Sequence, residues 1–269
     1  MTKIYTFVNQ KGGVGKTTST INLGAYLAYY GQRVLLIDND PQANATSCLG
    51  IDKNQVKHGT YEVMIGKTDP SKSILHNPRV KLSLLPSSPS LAGAEVELIQ
   101  LENREYRLRN TIQQIKDRYD YILIDCPPSL SLLTVNGLTA AEDGIIIPVQ
   151  CEYLALEGLG QLVQTVDRVR NGLFRELEIR GVLLTMFDSR TNLSTEVVND
   201  IKNYFKDTVF KSIIPRSVRL AEAPSFGIPI SIHSPQSSGA LAYQNLAKEL
   251  LAQDGIEIKL PVLLDNSEI

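Results

Sequence analysis

The sequence predicts an α/β fold, a single domain built on a mainly parallel, twisted sheet of about seven or eight strands with helices on both faces. Three observations lead there. Short β-branched runs alternate with longer helical patterns almost from end to end, the rhythm of right-handed β-α-β crossovers. Several runs, such as "YILID" and "GIIIPV", are continuously apolar, which is how strands covered on both faces read. The 269 residues, 43% apolar and 21% charged, suit one large core that buries roughly 70–75% of the unfolded surface.

Taken in order, strands are expected at Ile4–Val8, Val34–Asp38, Lys81–Leu85, Tyr121–Asp125, Gly144–Val149, Gly181–Met186, Val209–Ile214 and Pro229–Ile232. Helical patterns fill the gaps at Lys16–Tyr30, Ala92–Ile115, Leu130–Ala141, Leu156–Gly172, Thr195–Phe205 and Ala240–Gln253. Gly31 stands where a left-handed residue would end the first helix. "PSSPS", Pro86–Ser90, reads as a surface loop. The domain is expected to span residues 1–253, with a weakly structured tail over 254–269.

Composition excludes several classes. No stretch approaches ~18 uninterrupted apolar residues, so a spanning helix is not expected, and the first residues lack the layout of a signal peptide. Cys48, Cys126 and Cys151 form no CxxC pair, which argues against a disulfide framework or a structural zinc site and for a cytoplasmic setting. A net charge of −2 means that any nucleic-acid contact must come from a local patch.

The chemistry concentrates in "NQKGGVGKTT", Asn9–Thr18, which lies between an apolar strand and a helix. Gly12, Gly13 and Gly15 let backbone N–H groups turn inward around a polyphosphate, and the helix start adds partial positive charge. Lys16 would reach the β- and γ-phosphates, and the Thr17 hydroxyl would ligate Mg²⁺. This is the phosphate loop of a P-loop NTPase, with candidate nucleotide contacts at Lys11, Gly12, Gly13, Val14, Gly15, Lys16, Thr17 and Thr18. One departure matters. Gln10 stands where GxxxxGK[ST] has its first glycine, and Lys11 follows it. A lysine there is poorly placed to fold back on its own phosphates and better placed to reach a nucleotide on a facing subunit.

At this point the chain resembles the deviant Walker A ATPases, and most of all the ParA/Soj partitioning family, whose loop carries this extra lysine and whose members form ATP-sandwich homodimers. Two acidic motifs extend the resemblance. "VLLIDNDPQANAT" brings Asp38 and Asp40 to the edge where parallel strands end, and a carboxylate there can orient a water or hold Mg²⁺ through water. The resemblance assigns the water-orienting role to Asp40, making Lys11, Lys16 and Asp40 the catalytic set. Asn39 and Ala43 depart from the family pattern without touching either carboxylate. "YDYILIDCPPSL" delivers Asp125 as a Walker-B carboxylate in the metal's outer shell, acting through water. Cys126 beside it reads as a small buried residue, and His58, His76 and His233 have no ligand spacing.

Later blocks, "LAGAEVEL", "PVQCEYLALEGL", "GVLLTMFDSRTNLS" and "IPRSVRLAEAPSFGIPI", match the partitioning branch over nearly the whole chain. The resemblance implies non-specific binding to double-stranded DNA in the ATP state and release by a ParB-type centromere-binding protein. It places DNA contacts at Arg190 and Arg219, with Arg216 between them, and adenine contacts at Pro215 and Ser217. The family more often has Asn where Ser217 stands, a change that a backbone contact survives. With no helix-turn-helix segment before Ile4, the short chromosomal-type members are the expected likeness, and nucleoid association follows. Three other readings compete. A MinD-type membrane ATPase would need a basic amphipathic terminus, whereas the last residues carry Asp254, Glu257, Asp265 and Glu268 against Lys259. A nitrogenase-type iron protein would need Cys126 and Cys151 at a subunit interface. A non-enzymatic nucleotide scaffold would not need Lys16, Thr17, Asp40 and Asp125 together.

Overall fold

The computed structural model describes residues 1–153 and 155–258. Seven strands form one sheet: β1 (Lys3–Phe7), β2 (Val34–Asp38), β3 (Leu75–Asn77), β4 (Leu82–Leu85), β5 (Tyr121–Asp125), β6 (Ile145–Gln150) and β7 (Ile179–Thr185). Their spatial order is β3-β4-β2-β5-β1-β6-β7. All neighbours run parallel except the edge pair β3–β4.

Strand alternation divides the core. In β5, Tyr121 and Leu123 face one layer while Ile122 and Ile124 face the other, and Val34/Leu36 against Leu35/Ile37 repeat this in β2. Helices Lys16–Tyr29 and Ser238–Gln253 cover the first layer. Helices Leu91–Leu98, Arg107–Gln113 and Leu132–Ala140 cover the second. A third cluster packs helices Ala155–Gly172 and Asn192–Phe205 around β6 and β7. Gly31 ends the first helix with φ 83°, as expected.

Five expectations fail locally, each for a physical reason. Pro86–Ser90 is not a surface loop throughout, because Ser87 and Ser88 are buried and Ser87 Oγ donates to Asp40 O. Val209–Ile214 is no ladder strand. It meets β7 at one isolated bridge, Val209–Val182, and by the N–H groups of Phe210 and Ile214, while the N–H groups of Lys211 and Ser212 donate to the Glu249 carboxylate instead. Pro229–Ile232 is a short helix, Ile230–His233, whose first N–H donates to Asn22 Oδ1. The single helix expected over Ala92–Ile115 ends at Leu98 and resumes at Arg107, and Asn103 between them takes φ 52°. Lys81 is a left-handed turn residue at φ 57°, so the strand begins one residue later. The short β3, helix Asn44–Cys48 and helix Thr60–Met64 were too short for any periodic signal.

Of the predicted tail, residues 259–269 lie outside the described part. Asp254 is anchored. Its carboxylate, 2% exposed, accepts from Tyr5 Oη (2.7 Å) and Tyr121 Oη (2.8 Å) and pairs with Arg180 (2.9 Å).

Candidate functional site

The sheet register sets Asp38 beside Asp125 and Phe7 on the other side of Asp125, so β1, β2 and β5 end together. The phosphate loop leaves β1 at that edge. Gly15 caps the helix at φ 88° without any side-chain cap, leaving the first-turn N–H groups pointing outward. Gly13 is also left-handed, at φ 75°. Gly12 does not share that conformation, but a side chain added there or at Gly13 would meet nothing within 4 Å. The loop is therefore an open cradle. Asn9 pins its start, accepting from the Lys11 N–H at 3.0 Å and donating to Pro148 O at 2.7 Å. Thr185 pins its middle by donating to the carbonyl of Val14 at 2.9 Å.

Lys16 is 7% exposed and folds back over the loop, its Nζ 3.2 Å from Lys11 O. Burial lowers its pKa, an effect opposed by the charges of Asp125, Cys126 and Asp40. Lys11 itself is exposed. Thr18 is half-buried, its carbonyl accepting from Asn22. Thr17 Oγ1 donates to Asp125 Oδ2 at 2.6 Å. Asp125 is fully buried, and that burial together with the neighbouring Asp38 charge lifts its pKa well above the carboxylate range. Asp40, 5% exposed, accepts from the Gln42 N–H at 2.9 Å.

Six buried side-chain polar atoms lack a partner among the described residues, and four of them sit in this neighbourhood: Gln10 Nε2, Asn39 Oδ1, Asp125 Oδ1 and Ser131 Oγ. Orphaned polar atoms concentrated at one strand edge mark a place built for something polar. A cavity of about 420 Å³ lies elsewhere, at the opposite end of the sheet among Tyr26, Tyr29, Arg79 and Lys81, and holds none of these groups. The orphaned atoms gather at the cradle, not at that cavity.

Two of the remaining candidates, Pro215 and Arg216, meet the chain just beyond β7. Phe187, just beyond β7, accepts from the Arg216 N–H at 2.9 Å and bridges to Pro215. Pro215 and Ser217 thus follow the strand whose Thr185 holds the loop. Ser217 N-caps helix Val218–Glu222 with no bond from its hydroxyl. Arg190, Arg216 and Arg219 are exposed, but none is free. Arg190 forks onto Asp188 at 2.9 and 2.7 Å, Arg216 meets Glu152 at 2.6 Å, and Arg219 meets Glu222 at 2.9 Å. Ion pairs between groups at the solvent surface are weak, so they leave the arginines open to exchange of partner.

Cys126 and Cys151 are buried. Burial pushes the Cys126 thiol up to about 12 and the Cys151 thiol to about 11. Both are 2% exposed or less, which removes them from any subunit-bridging cluster. Sequence reasoning placed Asp38 at the strand edge without giving it a role, and missed Thr46 and Ser87 as residues that hold the site. Asp38 is wholly buried with its pKa pushed up to about 6 by desolvation, and it accepts from both the N–H and the hydroxyl of Thr46.

Comparison with known proteins shows what the whole chain is similar to. The family described as "AAA domain" matches residues 2–179. The chain is 54% identical to the sporulation initiation inhibitor protein Soj of Bacillus subtilis, over 94% of this chain and 99% of that protein. It is 51% identical to the chromosome-partitioning ATPase Soj of Treponema pallidum, over 95% and 99%. Among solved structures it is similar to cobyrinic acid a,c-diamide synthase from Mycobacterium smegmatis with bound ATP analog and magnesium. The TM-score is 0.84 and the identity 36%, over 96% of this chain and 98% of that one.

Proposed function

Because the chain belongs to the ParA/Soj family of chromosome-partitioning ATPases, we propose that it hydrolyses ATP with Mg²⁺ inside a nucleotide-sandwich homodimer. In the ATP state it binds double-stranded DNA without sequence preference. A ParB-type centromere-binding protein stimulates hydrolysis and releases it, and its place of work is the nucleoid in the cytoplasm. No described helix is long and apolar enough to cross a membrane.

The observation that carries this reading is the meeting of three groups at the cradle. Lys16 is buried there, Thr17 lies 2.6 Å from Asp125, and the second Asp125 oxygen is orphaned. That oxygen fits an outer-shell Mg²⁺ role. Among the described residues no cluster of three or more His, Cys, Asp or Glu side chains could hold a metal. A cation here would rest on Thr17, on Asp125 through water, and on phosphate oxygens, as Mg²⁺ commonly does. When bound, Mg²⁺ neutralises charge on the transferring phosphate. Lys16 adds a fixed positive charge beside it, Asp40 orients the attacking water, and the loop N–H groups hold the phosphates in line. Pro215 and the Ser217 backbone flank the base.

Lys11 acts in trans. Lys11→Ala should leave ATP loading by the monomer intact, while the dimer loses two charge-assisted contacts across its interface. Light scattering with ATP is the measurement, and a stable, hydrolysing Lys11→Ala dimer would contradict the role.

The DNA surface forms when two modest arginine sets are joined on one rigid dimer, raising affinity through effective concentration. Duplex binding should therefore require ATP, tolerate any sequence and weaken steeply with salt. Titration with ATP, with ADP and without nucleotide tests the whole reading, which fails if the three curves coincide. Arg219→Ala should remove about two phosphate contacts per dimer and flatten the log–log salt slope by roughly 1.8 units, at ~0.9 per phosphate. Arg190→Ala should act alike, with ATP-dependent dimerisation unchanged. Unaltered slopes in both would move the DNA surface elsewhere.

A further inference from the structure

Four buried residues close a ring of hydrogen bonds behind the proposed catalytic carboxylate. The N–H of Asp40 donates to Asp38 Oδ1 at 3.2 Å. Asp40 O accepts from Ser87 Oγ at 2.8 Å. The Ser87 N–H donates to Thr46 Oγ1 at 2.8 Å, and that hydroxyl donates to Asp38 Oδ2 at 2.7 Å, completing the circuit. Asp38, Thr46 and Ser87 are fully buried and Asp40 is 5% exposed. The ring grips Asp40 by both its N–H and its C=O, which fixes the backbone from which the carboxylate projects. Around it, Thr60 Oγ1 donates to Asp38 O at 2.7 Å and the Thr60 N–H donates to Pro86 O at 2.8 Å. Within the gripped segment Ala43 is held left-handed at φ 52°, a conformation that persists only where the surroundings impose it.

Ser87 belongs to none of the nucleotide motifs. It follows β4, the neighbour of β2 on the side away from the phosphate loop. We propose that Ser87 and Thr46 are positioning residues for ATP hydrolysis, holding Asp40 at the attacking water through this ring. The proposal rests on the ATPase reading above. A positioning error of about 1 Å costs on the order of 10²-fold in rate, whereas ATP binding is governed by the loop and Lys16, which the ring does not touch.

Steady-state ATP turnover and binding of a non-hydrolysable ATP analogue, on the full chain with Mg²⁺, separate this role from a merely structural one. Ser87→Ala and Thr46→Val should each lower kcat by roughly 10- to 100-fold, with analogue affinity within about 2-fold of wild type. Thr46→Ser keeps the hydroxyl and should restore kcat to within about 3-fold. The two damaging changes should be non-additive when combined, because both open the same ring. Equal turnover in Ser87→Ala and wild type overturns the proposal. So does a parallel fall in kcat, analogue affinity and melting temperature in Thr46→Ser as well as Thr46→Val. A wild-type chain that turns over no ATP overturns the ATPase reading itself, a result distinct from either.

Discussion

Lys16→Ala is expected to abolish ATP binding in calorimetry and, with it, nucleotide-dependent DNA binding. The reason lies in what would remain. Asp125 and Asp40 flank the cradle, and their charges already act on Lys16 against the burial that lowers its pKa. Without the ammonium, a polyanionic triphosphate would enter a site whose nearest formal charges are carboxylates. Removing one partner of a buried charge pair costs about 3–5 kcal/mol, on the order of 10²- to 10⁴-fold in affinity at ~1.4 kcal/mol per tenfold. The fold should survive, since Lys16 Nζ contributes one bond, to Lys11 O. A melting curve near wild type therefore accompanies the expected loss. Near-normal ATP affinity would remove Lys16 from the phosphate site and the loop assignment with it.

Asp40→Ala should behave in the opposite sense. Thr17 and Asp125 meet independently of Asp40, so Mg²⁺–ATP binding should persist. Hydrolysis should fall by roughly 10²–10⁴-fold, the usual scale for a lost acid–base or positioning group. The trapped ATP form should then be dimeric and remain on DNA longer than wild type, which a dissociation rate measures. Full turnover in the variant would reduce Asp40 to a turn residue ahead of Pro41. The two substitutions thus bracket the cycle, one blocking entry of nucleotide and the other blocking its exit.

Much of this was legible before any coordinates. The phosphate loop, the strands ending in Asp38 and Asp125, and the alternation of strand with helix are local patterns, and local patterns survive in a sequence. The ring around Asp40 could not be read. Ser87 meets Asp40 across 47 positions and Thr46 across 41. Those meetings exist only because β4 lies beside β2, a fact of strand order. The segment Val209–Ile214 misleads for a similar reason, because a carboxylate on the last helix takes two of its N–H groups. The arginines divide likewise. Asp188 stands two residues from Arg190 and could be read as its partner, but Glu152 reaches Arg216 across 64 positions.

The sheet order also bears on how the chain comes to exist. β1 precedes the other described strands in the chain, yet it is flanked by β5 and β6. It has no pairing partner until residues 121–125 have been made. The clamp that Asp254 closes on Tyr5, Tyr121 and Arg180 waits for nearly the whole described chain. Contacts between such distant residues make folding slow, and a bare apolar strand is exposed to aggregation meanwhile. During translation the phosphate loop leaves the ribosome attached to an unpaired strand, so nucleotide binding is among the last properties the newborn protein acquires.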